Sequence, residues 1–260
     1  MHFYKFDGAA NDFILIDARR AAPQLTRDGI ARLCDRRRGI GADGLMTLGN
    51  APEGYDFVMR YYNSDGGEAT MCGNGGRCIV AFAHLLGIGE REFRFIGPDG
   101  EHRATLMLWD KQRQHGRVSL GMRTVARDSI RRVMEGWYLD TGSPHYVQWV
   151  NNLAEYDVVG EGRRIRHRAD LWSEGTNVDF IEHGADGKLH VRTYERGVED
   201  ETWACGTGVT AAAIVTGIHH LSTRGGDFEV SFNATDTEYA DIRLEGCVSL
   251  NFEGDVNDII

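Results

Sequence analysis

Cys72 and Cys205 are the side chains in this sequence best suited to chemistry. Cys72 ends a polar turn that begins at Asn63 and is followed by Gly73-Asn74-Gly75-Gly76 and an apolar stretch with Ile79, Val80, Phe82, Ala83 and Leu86. This order predicts a helix that opens on glycines. Glycine lets a ligand approach the backbone, and a helix start supplies N–H groups and the positive end of the dipole. A thiol there is expected to have a lowered pKa, and the same N–H groups can hold a carboxylate. Downstream, Ala204-Cys205-Gly206-Thr207-Gly208-Val209 repeats the pattern. One such cysteine is as often a small buried residue as a reactive one. Two of them point to two thiols facing one substrate.

The composition limits the alternatives. The chain has 260 residues, 42% hydrophobic and 26% charged, enough for one large domain or two modest ones. A net charge of −10 argues against nucleic acid and anionic membranes as partners. His2-Phe3-Tyr4-Lys5-Phe6-Asp7 lacks the basic and apolar segments of a signal peptide, and no run approaches the roughly 18 apolar residues of a membrane span. A cytoplasmic protein is expected. Cys34, Cys72, Cys78, Cys205 and Cys247 make an odd set, which favours free thiols over disulfides. Cys72 and Cys78 have no further pair to complete a zinc site, so no metal is expected. Lysine is scarce (Lys5, Lys111, Lys188), and none of the three is a good candidate for a pyridoxal Schiff base.

The elements that must position the two thiols recur in both halves. His2–Phe6 and Phe13–Ile16 read as strands around the turn Gly8-Ala9-Ala10-Asn11-Asp12, and Thr26 as the cap of a helix ending near Gly39. Leu45–Leu48 and Phe57–Tyr62 are strands, the second leading to Asn63 and the Cys72 helix, after which three strand-like runs extend to Met122. In the second half, Trp137–Asp140 and Tyr146–Val150 flank Thr141-Gly142-Ser143-Pro144-His145. Gly175-Thr176-Asn177-Val178-Asp179-Phe180 parallels Gly8…Asn11-Asp12-Phe13, and Leu189–Tyr194 leads through Glu195-Arg196-Gly197 to the Cys205 helix. His219-His220 and Glu199-Asp200-Glu201 read as a helix end and a charged turn. Strands at 227–232, 239–244 and 247–252 close the chain. The pattern is a duplicated α+β unit with its boundary near 122–135.

With these stretches assembled, the sequence resembles the diaminopimelate epimerases, which are pyridoxal-independent amino-acid epimerases. The resemblance runs through Gly8…Asn11-Asp12-Phe13, Gly39-Ile40-Gly41-Ala42-Asp43-Gly44, Asn63…Met71-Cys72-Gly73-Asn74-Gly75 and Pro144-His145. It continues through Thr176-Asn177-Val178-Asp179-Phe180, Tyr194-Glu195-Arg196-Gly197 and Ala204-Cys205-Gly206-Thr207-Gly208. It implies two similar domains, each an antiparallel sheet or open barrel wrapped around a central helix, with the active site in the cleft between them. Residues 1–124, completed by a strand at 248–260, would form one domain and 125–247 the other. It implies a small-molecule amino-acid substrate, no cofactor and a homodimer.

Carried over by position, the resemblance makes Cys72 and Cys205 the acid/base thiols, with His145 and Glu195 beside them setting their protonation. Gly73, Asn74, Gly206 and Thr207 would hold the reacting α-carboxylate. Asn11, Asn63, Asn177 and Arg196, with Glu195, would contact the rest of the substrate. Two positions depart from many members: Ser143 stands where asparagine is common, and Gly44 where some carry glutamine. Both bear on the far end of the substrate.

Inversion at a carbon bearing hydrogen needs a proton removed from one face and another returned to the opposite face. Two thiols, one ionised and one not, meet that need near neutral pH, and two helix starts aimed at the α-carboxylate would stabilise the carbanion. The expected reaction is LL- to meso-diaminopimelate, in lysine and peptidoglycan precursor biosynthesis. The alternatives are a two-cysteine racemase for another amino acid such as histidine or proline, an isomerase of the phenazine-biosynthesis type, and a non-catalytic binding relative.

Overall fold

The computed structural model describes residues 1–20 and 23–257. It divides into two units, Met1–Leu120 with Gly246–Ile260, and Gly121–Glu245. The divisions fall at 120/121 and 245/246, a few residues before the expected 124/125 and 247/248.

In the first unit, alternating apolar residues form an antiparallel hairpin of His2–Gly8 and Asn11–Asp17, with Phe6 opposite Phe13. Helix α1, Arg27–Cys34, is capped by the Thr26 hydroxyl, which accepts the Gly29 N–H at 3.1 Å. It returns the chain so that Gly44–Gly49 runs parallel to Asn11–Asp17. Phe57–Asn63 pairs antiparallel with Gly44–Gly49. Helix α2, Gly73–Leu85, then brings Glu92–Gly97 parallel to Phe57–Asn63. Gly100–Asp110 and His115–Gly121 follow antiparallel. The last strand, Glu238–Asp255, pairs with His115–Gly121 on one side and His2–Gly8 on the other.

The strand pairing therefore closes into a ring and is mixed, where an antiparallel sheet or open barrel was expected. The parallel pairs follow from α1 and α2, because only a long crossover can join parallel neighbours. Helix α2 is enclosed by the strands, with all of Gly73–Ala83 buried, Asn74 and Arg77 included. Its glycines permit the fit: a methyl on Gly75 would collide with the tip of Met46, and one on Gly76 with the tip of Met71. Helix α1 packs Ile30, Leu33 and Cys34 against Phe3, Ile14, Ile16 and Leu45.

The second unit repeats the order. Gly136–Asp140 and Pro144–Trp149 form a hairpin, helix α3 (Val158–Arg166) crosses over, and Asn177–His183 runs parallel to Pro144–Trp149. Leu189–Glu195 pairs antiparallel with Asn177–His183. After helix α4, Gly206–Thr216, His220–Thr223 runs parallel to Leu189–Glu195 and antiparallel to Gly226–Ala234. Tyr146, Leu153, Ile165, Trp172, Phe180 and Tyr194 form the core on which α3 packs, and Trp172 Nε1–H donates to the Ile165 carbonyl at 2.9 Å.

Four local expectations change. Helix α1 ends at Cys34, with Asp35 as its C-cap, rather than near Gly39. Asp200–Thr202 is a short strand paired with Leu189–Glu195, and His220 opens a strand rather than ending a helix. The two closing strands are one, Glu238–Asp255, because Glu245-Gly246 stays extended. Residues 258–260 of the expected closing strand lie outside the described residues.

Candidate active site

Each unit presents one cysteine at the N-cap of its buried helix. Cys72 has φ −113° and ψ 124° at the start of α2, and Cys205 has φ −116° and ψ 111° at the start of α4. This is the extended geometry of an N-cap, so each cysteine directly precedes the first-turn N–H groups that a helix cannot satisfy internally, and neither side chain makes a capping hydrogen bond itself. All five cysteines are free thiols.

In the first unit Cys72 Sγ lies 3.7 Å from Asn11 Oδ1, and Asn74 Nδ2 donates to the same oxygen at 3.4 Å. The Asn74 side-chain Oδ1 accepts from the buried Arg77 guanidinium at 2.9 Å, and Arg77 also donates to the Gly73 backbone carbonyl at 3.2 Å. Asn11 Nδ2 donates to Asp43 at 2.7 Å, and Asp43 accepts from Arg36 at 2.7 Å. Arg36 and buried Lys5 both reach Asp12. Burial raises the Asp12 pKa, but hydrogen bonds from Arg36 and Lys5 outweigh it and hold the carboxyl below its usual range. Asn63 is exposed, and its backbone closes a turn through Gly66 N–H to Asn63 O and Asn63 N–H to Gly67 O, both 2.9 Å. A side chain at Gly44, opposite Asn63, would lie 2.6 Å from the Tyr61 ring.

In the second unit Cys205 Sγ lies 3.4 Å from Thr207 Oγ1, which lies 2.9 Å from His145 Nε2. His145 Nδ1 lies 2.7 Å from Asp179 Oδ2, and Thr193 donates to Asp179 Oδ1 at 2.7 Å. Asn177 donates to the Pro144 carbonyl at 3.0 Å and to Ser143 Oγ at 3.2 Å, and accepts the Arg196 N–H at 2.8 Å. Arg196 is half-buried, and its guanidinium makes no ion pair among the described residues. Glu195 accepts the Thr202 hydroxyl at 2.9 Å.

The lowered thiol pKa expected of both helix starts does not hold at Cys205. Burial raises it well above the ordinary value, and the Glu195 and Asp179 carboxylates add to the rise, against the Thr207 hydroxyl and Gly208 N–H that favour the thiolate. Dipole and N–H groups alone do not set this thiol.

Among the described residues no cluster of three or more His, Cys, Asp or Glu could hold a metal, and no helix is long and apolar enough to cross a membrane. The two helix starts can hold an anion and offer or take protons at sulfur.

The family model described as diaminopimelate epimerase matches residues 3–122 and 137–243. The chain belongs to this family. It is 44% identical to the diaminopimelate epimerase of Flavobacterium psychrophilum over 97% of this chain and 99% of that one. The Aquifex aeolicus diaminopimelate epimerase is 34% identical over 99% of this chain and 98% of its own. Among solved structures, a probable proline racemase from Agrobacterium radiobacter superposes with a TM-score of 0.72 at 16% identity, covering 98% of this chain and 92% of its own. A Bacillus anthracis protein of the phenazine-biosynthesis PhzF family gives 0.72 at 14%, covering 99% of both chains. At that distance the likeness shows a shared fold alone.

Within this epimerase-family chain, sequence reasoning missed the residues behind the expected ones. Asp43, Arg36 and Lys5 brace Asn11 and Asp12, while Asp179 and Thr193 brace His145. Ser143, expected to bear on the far end of the substrate, lies 3.1 Å from both His145 Nε2 and Thr207 Oγ1. The available signal was an aspartate inside an apolar strand: Asp179 stands between Val178 and Phe180-Ile181, and an Asp there needs buried partners.

Proposed function

We propose that this protein converts LL-diaminopimelate to meso-diaminopimelate with Cys72 and Cys205 as the two proton carriers and no cofactor. The observation that carries this reading is the repeated helix start. Each of two topologically similar units places a cysteine at the N-cap of a largely buried helix. A thiolate on one side takes the α-hydrogen as a proton, and a thiol on the other returns its own proton to the opposite face. The charge gathers on the α-carboxylate, where the Gly73-Asn74 and Gly206-Thr207 helix starts stabilise it.

Arg196 supports a substrate with a second acidic head. Its backbone is pinned by Asn177 at 2.8 Å while its guanidinium makes no ion pair among the described residues, which suits a two-pronged grip on a distal carboxylate. Asn11 and Asn177 already spend their amide groups on protein partners, so they brace the site as well as line it. On the family resemblance we place the activity in lysine and peptidoglycan precursor supply, carried out by a cytoplasmic homodimer.

Cys72→Ala and Cys205→Ala are each expected to lower LL-diaminopimelate turnover by about 10³-fold or more with native circular dichroism. Either variant retaining a tenth of the wild-type rate would overturn the assignment.

A further inference from the structure

A line of hydrogen bonds runs back from Cys205 to a carboxylate with no solvent exposure. Cys205 Sγ lies 3.4 Å from Thr207 Oγ1, Thr207 Oγ1 2.9 Å from His145 Nε2, and His145 Nδ1 2.7 Å from Asp179 Oδ2. His145 and Asp179 are both 0% exposed. Thr193 donates to the other Asp179 oxygen at 2.7 Å. A carboxylate only accepts hydrogen bonds, so the proton on the imidazole sits at Nδ1 and Nε2 is left as an acceptor. The Thr207 hydroxyl is the nearest donor to that acceptor at 2.9 Å, with the Ser143 hydroxyl at 3.1 Å and the Asn177 amide nitrogen at 3.4 Å.

We propose that Thr207, His145 and Asp179 form a proton relay behind Cys205. It rests on the two-thiol reading above and extends it. The S–H bond of Cys205 breaks and its proton passes to Thr207 Oγ1, while the hydroxyl proton of Thr207 passes to His145 Nε2. The products are a thiolate and an imidazolium, with no net change in protons, and Asp179 lies against the imidazolium it stabilises. The reverse transfer recharges the thiol. Asp179 is a positioning residue: it fixes the tautomer and supplies the counter-ion without touching the sulfur.

Cys205 needs such a partner more than a thiol in open solvent would. The charges acting on it are the carboxylates of Glu195 and Asp179, which together with burial disfavour the thiolate. Packing leaves no room for slack around the relay. A methyl built on Gly208 would collide with the Asp179 carboxylate and sit 3.2 Å from His145 Cε1.

The test is the pH dependence of Cys205 alkylation by iodoacetamide, read by peptide mass mapping, with Cys72 of the same molecule as reference. Wild type, Thr207→Val, Thr207→Ser and Asp179→Asn are compared. Thr207→Ser keeps the hydroxyl and is expected to retain the wild-type Cys205 midpoint. Thr207→Val and Asp179→Asn are expected to move it up by about one pH unit, roughly a tenfold loss of thiolate at a given pH, with the Cys72 midpoint unmoved. Turnover of LL-diaminopimelate should fall about 10²-fold in the same two variants. A wild-type midpoint in Thr207→Val, or an equal shift in Thr207→Ser, would sink the relay. If Asp179→Asn does not fold, the two Thr207 variants decide. Because alkylation needs no substrate, a wild type inert towards LL-diaminopimelate but showing the shifted midpoints would remove the substrate assignment and leave the relay standing.

Discussion

Asn11 turns its amide oxygen to Cys72, 3.7 Å from the sulfur, because its amide nitrogen is held 2.7 Å from Asp43. Arg36 in turn holds Asp43 at 2.7 Å. The orientation of a group beside the first thiol is thus fixed through Asp43 and Arg36. Asp43→Ala should free the Asn11 amide and lower kcat/KM roughly tenfold, as loss of an orienting partner commonly does. The Asp43 ion pair is partly exposed, so stability should change by less than about 1 kcal/mol. An unchanged kcat/KM would show that Asn11 needs no such support.

The pH dependence of stability should carry the signature of Asp12. Its carboxyl ionises more readily in the folded chain, where Arg36 and Lys5 outweigh the burial that raises it. Its contribution is therefore complete above the unfolded carboxylate range, near pH 4, and is lost as pH falls below it. Thermal melts between about pH 5 and pH 2 should show wild type losing Tm more steeply than Asp12→Asn. Parallel curves would contradict this.

The turn joining the first two strands is made by Ala9 and Ala10, with φ of 58° and 62°. Both lie in the left-handed region, which costs a residue with a Cβ about 1–2 kcal/mol. Ala10 is exposed, so Ala10→Gly removes that cost and loses no packing. Set against the entropy of glycine, the net gain should be about 0.5–1 kcal/mol, a rise in Tm of about 2 °C. A fall in Tm would show that the turn is not strained.

Glycines 75 and 208 should respond differently to alanine. The added methyl at Gly75 meets the end of Met46, which can swing aside. At Gly208 it meets the fixed Asp179 carboxylate and the His145 ring. Gly208→Ala should cost about 2 kcal/mol, a Tm drop of about 5 °C, and lower turnover about 10²-fold. Gly75→Ala should cost less than half as much stability. Equal melts for the two variants would contradict the packing described.

The two cysteines and their helix starts were legible because glycine spacing and an apolar run are local signals. The succession of strands along the chain was legible for the same reason, but their parallel pairings were not. Helix α3 was not: Val158–Arg166 carries two glycines and three arginines, and it holds together through the Asp157 side chain, which accepts the Gly160 N–H at 2.9 Å, and through packing of Val158 and Ile165. Closure of the first ring depends on pairing His2–Gly8 with a strand more than 240 residues away, such as His2 with Asp255, which no local pattern encodes. The raised pKa of Cys205 was missed because sequence shows the helix start but not the burial or the carboxylates around it.

In the proposed reaction two thiols exchange protons with solvent across one α-carbon. LL-diaminopimelate incubated with the enzyme in deuterium oxide, without added cofactor, measures this directly by mass spectrometry of early product. The expected product is meso-diaminopimelate carrying one solvent deuterium, at the inverted carbon, with none of it formed by Cys72→Ala or Cys205→Ala. Meso product without solvent deuterium, or comparable exchange into histidine or proline with none into diaminopimelate, would contradict it.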